Sequence, residues 1–310
     1  MKHTSFLKKK SLWIIGVIAL LTALTVCGSA FDYEIANAVY IGQQPSENLF
    51  GVLFAFVGIA PTFVGWSFLG ASILCLSRQP MGTPMRKRGL TAFAVLLFVL
   101  SFFYFCNTLM MVNANALSVH WAIAYPIGIV ILLGAAFLGD RLSRRSNNPA
   151  LLHTVLRLSI VSVAVMILIM STKELMDRPR FRFVMEAASP DYFRNWWQSG
   201  RDLKASIGQG AISDEFASFP SGHSAYAMFA IFLFPALADY STSLQKHKGL
   251  LALSGFTWWC LTALSRMTVG AHYLTDVCIA ALITVTVWLT VSLLTYGFRK
   301  QQKASDPPSR

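Results

Sequence analysis

The sequence predicts an all-α protein, a polytopic membrane helical bundle of about eight transmembrane helices, and three observations carry that expectation. Hydrophobic residues make up 55% of the 310 residues and charged residues only 13%, whereas soluble domains carry about a quarter charged. The remaining polar residues fall between apolar runs of about 18 to 25 residues, each long enough to cross a hydrocarbon core as a helix. Most Lys and Arg lie in short connections beside those runs, so the net charge of +12 reads as topology and no nucleic-acid partner is expected.

Helices are expected near 12–30, 50–76, 90–112, 119–139, 151–171, 224–238, 249–265 and 273–297. The first follows Lys8, Lys9 and Lys10, and its end at Gly28-Ser29-Ala30 also fits a cleavable signal peptide. The run is long for a signal segment, and removing it would spoil the charge balance, so it is read as a span. The connection after it carries Asp32, Glu34 and Glu47 and no basic residue, and the connection between the third and fourth helices has no charge of either sign. The second, fourth and sixth connections hold Arg78, Arg86, Lys87, Arg88, Arg141, Arg144, Arg145, Lys246 and Lys248. Together with the two ends of the chain these segments carry 17 of the 26 basic residues, which places both termini in the cytoplasm by the positive-inside rule. The fifth connection, 171–223, is long and mixed in charge. Phe193, Trp196, Trp197 and Phe219 within it favour an ordered cap at the outer membrane face. Cys27, Cys75, Cys106, Cys260 and Cys278 all lie in apolar segments without the spacing of a metal or redox site.

Three polar constellations fall at the outward ends of spans: Lys173 to Phe181 (with Arg178, Pro179 and Arg180), Ser218 to Ser224, and Ser265 to Asp276. Ionisable residues at a membrane edge are functional candidates by default. Lys173, Arg180 and Arg266 offer fixed positive charge and forked donors suited to phosphate. Ser221 and Gly222, at the start of the sixth helix, add donors where the helix dipole favours an anion. His272 and Asp276 are four apart, so on a helix they share a face, and the carboxylate can orient the imidazole as a nucleophile. His223 remains as the proton donor. A metal bound by His223, His272 and Asp276 is the rival chemistry, but three cations in the same pocket would repel a divalent ion. No metal and no cofactor is therefore expected. Taken singly, each histidine is an ordinary interfacial residue, Ser221 with Gly222 an N-cap and Lys173, Arg178 and Arg180 headgroup anchors, as Arg182 is read; their joint occurrence carries the argument.

These residues resemble the type 2 phosphatidic acid phosphatase family, PAP2, whose pattern is KxxxxxxRP, PSGH and SRxxxxxHxxxD. Pro220 to His223 match the second motif, and Ser265, Arg266, His272 and Asp276 the third. The first departs: seven positions after Lys173 stands Arg180, followed by Phe181 instead of proline, and Arg178-Pro179 lies two residues earlier. The resemblance covers roughly 90–297. It implies a six-helix catalytic core within 90–300, a two-helix N-terminal addition over 1–89 and a cytoplasmic tail over 301–310. It also implies His272 as nucleophile, Asp276 as its partner, His223 as acid, and Lys173, Arg180, Ser221, Gly222 and Arg266 as phosphate ligands, with Arg178 auxiliary. The family includes bacterial phosphatidylglycerophosphate and undecaprenyl pyrophosphate phosphatases. The expected function is an integral membrane hydrolase of lipid phosphates in the cell membrane, its site extracytoplasmic and its partners the lipid phosphate substrate and membrane lipids. A phosphotransferase with the same site is one rival. An anion or lipid transporter is another, although a transporter needs polar groups near mid-membrane and here they cluster at one edge.

Overall fold

The computed structural model describes residues 2–78, 83–112, 121–207 and 213–305, and every regular element among them is helical. Helix α1 (Lys2–Val39) contains the first predicted span and runs nine residues past it, with a kink at Phe31 (φ −133°, ψ 23°) that turns Asp32 inward. The second predicted span is two helices, α2 (Leu49–Val57) and α3 (Ala60–Ser77). Asn48 caps α2 by accepting from the Gly51 amide at 2.8 Å, and Pro61 in the first turn of α3, which has no N–H to continue a ladder, accounts for the break at Gly58 and Ile59.

Helix α3 is buried along almost its whole length and forms the centre of one half of the bundle, packed against α4 (Pro84–Val112) and α5 (Trp121–Arg145). Hydroxyls knit these helices: Ser67 donates to the Leu132 carbonyl at 2.9 Å and Ser101 to that of Phe63 at 2.6 Å. The other half comprises α6 (Leu151–Met176), α9 (Gly222–Met228), α10 (Ala230–Ala236), α11 (Lys248–Thr268) and α12 (Leu274–Ser305). Helix α1 lies along α12 and α2 against α11, so the N-terminal segments pack directly on this half. A Cβ at Gly255 would lie 2.5 Å from the Ala230 carbonyl oxygen, so α10 and α11 meet backbone to backbone.

Among the described residues, six stretches are long and apolar enough to cross a membrane: Leu12–Val39, Leu49–Ser77, Pro84–Met110, Ala124–Arg145, Leu151–Glu186 and Leu274–Thr295. Two predicted spans differ from these. The segment 224–238 is divided at Phe229 into α9 and α10, and 249–265 lies within the 21-residue α11, which Trp258, Trp259, Arg266 and several hydroxyls make less apolar. Outward-facing Val99, Phe102, Phe103, Val130, Leu133 and Phe137 give α4 and α5 an apolar exterior, the surface a bilayer covers. The predicted connection 112–118 lies outside the described residues apart from Val112, and the predicted tail begins as a continuation of α12 to Ser305, with 306–310 outside the described residues.

The long fifth connection folds as α7 (Phe181–Glu186), α8 (Arg201–Ile207) and short 3-10 turns at Pro190–Tyr192 and Ser213–Phe216. Trp196 stacks on Phe219 at 6.0 Å and donates through Nε1 to Ser29 Oγ at 2.9 Å, while Trp197 stays half exposed. The aromatic residues thus fasten this cap onto α1 and the loop before α9.

Candidate active site

The C-terminal ends of α6 and α11 and the N-terminal ends of α9 and α12 meet at one end of the bundle under the cap. Lys173 sits in the last turn of α6, which Asp177 terminates in the left-handed conformation (φ 45°), and its Nζ donates to the Ala217 carbonyl at 2.5 Å. That contact joins α6 to the Ser218-to-Gly222 loop, and a Cβ at Gly222 would lie 3.9 Å from Lys173 Cε. Arg180 follows the α6 turn; its Nη2 pairs with Asp214 at 2.8 Å, and its buried Nε has no hydrogen-bond partner among the described residues. Arg266, buried on α11, donates through Nε to Ser265 Oγ at 3.3 Å and through Nη2 to the Gly51 carbonyl of α2.

His272 is buried in the turn before α12, and its Nδ1 lies 2.6 Å from the Ser218 carbonyl oxygen. A carbonyl can only accept, so Nδ1 carries the proton and Nε2 keeps a free lone pair. Burial pushes the His272 pKa down to about 3; the neighbouring Lys173 and Arg180 act in the same sense, and the Asp276 carboxylate opposes them. The imidazole is therefore neutral at pH 7, the form a nucleophile requires.

The arrangement of Asp276 differs from the expected one. His272 precedes α12, so the two residues do not share a helix face, and Asp276 Oδ2 stands 3.8 Å from His272 Nδ1, beyond hydrogen-bond distance. Instead Oδ2 accepts from the Ser218 hydroxyl at 2.6 Å and the Tyr273 amide at 2.8 Å, and Oδ1 accepts from Arg178 Nη1 at 2.5 Å. Asp276 thus caps the first turn of α12 and holds Ser218, whose carbonyl orients the imidazole. Ser221 caps α9, its Oγ accepting from the Ser224 amide at 3.2 Å, while its own amide donates to the Asp276 carbonyl at 3.2 Å. His223 Nε2 donates to the Ala55 carbonyl at 2.9 Å, which leaves Nδ1 to face a substrate. Burial holds the His223 pKa well below the ordinary imidazole range, and the charges of Arg266, His272 and Lys173 act in the same sense. The structure thereby gathers His272, His223, Asp276, Lys173, Arg180, Ser221, Gly222 and Arg266 at one end of the bundle.

Arg178 does not share the position of Arg180. It is fully buried, with Nη1 also donating to Thr275 Oγ1 at 3.0 Å, Nη2 to Asp32 Oδ2 at 2.9 Å and Nε to the Arg194 carbonyl at 2.8 Å. Its guanidinium lies 4.1 Å from the centre of the Tyr273 ring. Asp32, Gly51 and Ala55 were not among the residues that sequence reasoning selected for the site, and Ser218 stood in its second constellation without a role. The one available signal was Asp32 itself, an acidic residue just beyond an apolar run. Among the described residues no three His, Cys, Asp or Glu side chains come together as metal ligands.

Residues 152–300 match the family model of the PAP2 superfamily, a stretch just under half of the chain that contains every candidate site residue but none of α1 to α5. The match is shorter than the 90–297 expected from the motifs. No curated protein and no solved structure matches the chain.

Proposed function

We propose that this bundle is an integral membrane lipid phosphatase that hydrolyses a lipid phosphomonoester or pyrophosphate at the extracytoplasmic face through a phosphohistidine intermediate. The single observation that carries the reading is the neutral, buried His272, with its Nδ1 proton committed to the Ser218 carbonyl, beside Lys173, Arg180 and Arg266. The cations hold the phosphoryl oxygens and offset the charge that develops on them. The Nε2 lone pair attacks phosphorus, the bond to the leaving oxygen breaks, and that oxygen takes the Nδ1 proton of His223, which is protonated once the bound phosphate anion offsets the burial and the neighbouring cations that otherwise keep it neutral. His223, now neutral, takes a proton from water; the hydroxyl attacks the phosphohistidine, inorganic phosphate leaves and His272 is restored.

The positive-inside charge distribution supports an outward site. A single cysteine introduced at Gln43 or Asn195 in a cysteine-free background is expected to react with an impermeant thiol reagent in intact cells, and one at Thr83 is not. The reverse pattern would put the site in the cytoplasm and remove the outer-leaflet substrates from consideration.

Undecaprenyl pyrophosphate and phosphatidate-type lipids are the two substrate classes that fit an outward site. A pyrophosphate releases a lipid monophosphate that needs little protonation, whereas a glycerolipid phosphate releases an alkoxide that needs the acid fully. Purified protein is expected to release phosphate from undecaprenyl pyrophosphate at least as fast as from phosphatidate, to ignore EDTA and to be inhibited by vanadate. His223→Ala is expected to retain relatively more activity on the pyrophosphate. Release from glycerolipids alone would contradict the polyprenyl assignment, and loss with EDTA reversed by a divalent metal would contradict the cation cradle.

A further inference from the structure

We propose that Asp32, on the N-terminal helix outside the family match, is a positioning residue of the reaction: it shares Arg178 with Asp276 and so sets the carboxylate that holds Ser218 and, through its carbonyl, the His272 ring. This inference rests on the phosphatase reading. Asp32 is 3% exposed, and its Oδ2 accepts both from Arg178 Nη2 at 2.9 Å and from the Thr275 hydroxyl. Its Oδ1 accepts from the Thr275 amide at 3.0 Å. Thr275 precedes Asp276 in the first turn of α12, so Asp32 grips both the guanidinium that binds Asp276 and the backbone beside it.

The arrangement is a buried row of carboxylate, guanidinium and carboxylate, with the Arg178 Nη1 contact to Asp276 at 2.5 Å and Phe193 and Tyr273 enclosing the cation. Within it Arg178 cannot follow Asp276 freely, because Nη2 is tied to α1 and Nε to the Arg194 carbonyl. The Asp276 carboxylate, and hence the direction in which Oδ2 receives Ser218, is held by Arg178 on Oδ1 and by the Tyr273 amide on Oδ2. None of the cations read as phosphate ligands touches this row among the described contacts: Lys173 bonds Ala217, Arg180 bonds Asp214 and Arg266 bonds Gly51. A change at Asp32 should therefore reach the attacking nitrogen and leave phosphate binding alone, a separation that a general loss of structure would not produce.

The test is steady-state kinetics of the full-length protein in detergent with phosphatidate and undecaprenyl pyrophosphate, comparing wild type with Asp32→Asn. The expected result is a fall in kcat of about ten- to a hundredfold, the cost of misplacing a reacting group by a fraction of an ångström to an ångström. KM and the vanadate inhibition constant should stay within about twofold, because uniform binding is untouched. Equal kcat, or KM and vanadate affinity weakening in step with kcat, overturns the proposal. If Asp32→Asn does not fold, Thr275→Val keeps all three charges and removes only the hydroxyl between Asp32 and Arg178. It should lower kcat several-fold at constant KM, and wild-type kcat in that variant overturns the proposal equally. A wild-type protein that releases no phosphate from either lipid fails the phosphatase reading itself, whereas active wild type with an equally active Asp32→Asn fails the positioning role alone.

Discussion

His272→Ala is expected to abolish phosphate release, lowering kcat by about four orders of magnitude or more, because removing the nucleophile closes the covalent route and leaves only binding and charge stabilisation. The protein should still fold. Among the described residues the imidazole hydrogen-bonds to the Ser218 carbonyl alone, whereas Ser218 is also held through its hydroxyl by Asp276, so the loop has a second tether. Vanadate or phosphate should still bind to Lys173, Arg180 and Arg266 in this variant, since among the described residues none of the three side chains bonds to the imidazole; Arg266 meets His272 through backbone alone. The measurement is phosphate release per folded molecule, with ligand-induced stabilisation as the check on folding. His223→Ala should cost less, most visibly when the leaving group is a lipid monophosphate.

The second large effect separates the two arginines of the first motif. Arg178→Met is expected to destabilise the protein by about 3–5 kcal/mol, because it leaves Asp32 and Asp276 buried with no cation between them. Arg180→Ala should leave a folded protein with a large loss of kcat, since Arg180 is read as a phosphate ligand and among the described residues its side chain pairs with the half-exposed Asp214 alone. Unfolding in detergent followed alongside activity distinguishes the two. A folded, inactive Arg178→Met together with a folded, active Arg180→Ala would reverse the assignment. The sequence left this choice open, since Lys173 with Arg180 keeps the motif spacing while Arg178-Pro179 keeps the dipeptide; the buried ion row accounts for Arg178 by other means.

What was legible in the sequence was local. Apolar runs gave the spans, and the spacing within Pro220 to His223 and from Ser265 to Asp276 placed the candidate residues at span ends. One local reading went astray for an identifiable reason. The pairing of His272 with Asp276 assumed a helix through both, but Tyr273 is where α12 is capped and the helix starts at Leu274. The span 50–76 matches the stretch Leu49–Ser77, and what its pattern did not show is the break that Pro61 makes between two helices within it. The rest was not legible because it depends on contacts between distant parts of the chain. Asp32 meets Arg178 across 146 residues, Ala55 meets His223 across 168 and Gly51 meets Arg266 across 215. Two of these use backbone carbonyls, which no residue type announces.

The most direct measurement of the central claim is a rapid alkaline quench of the purified protein during turnover of undecaprenyl pyrophosphate, followed by mass spectrometry of the peptide that contains His272. A phosphohistidine is stable in base and labile in acid. The expected result is one phosphoryl group on His272, absent from His272→Ala and accumulating in His223→Ala, where the second step lacks its base. Steady phosphate release with no label on His272, or with the label on another residue, would contradict the account.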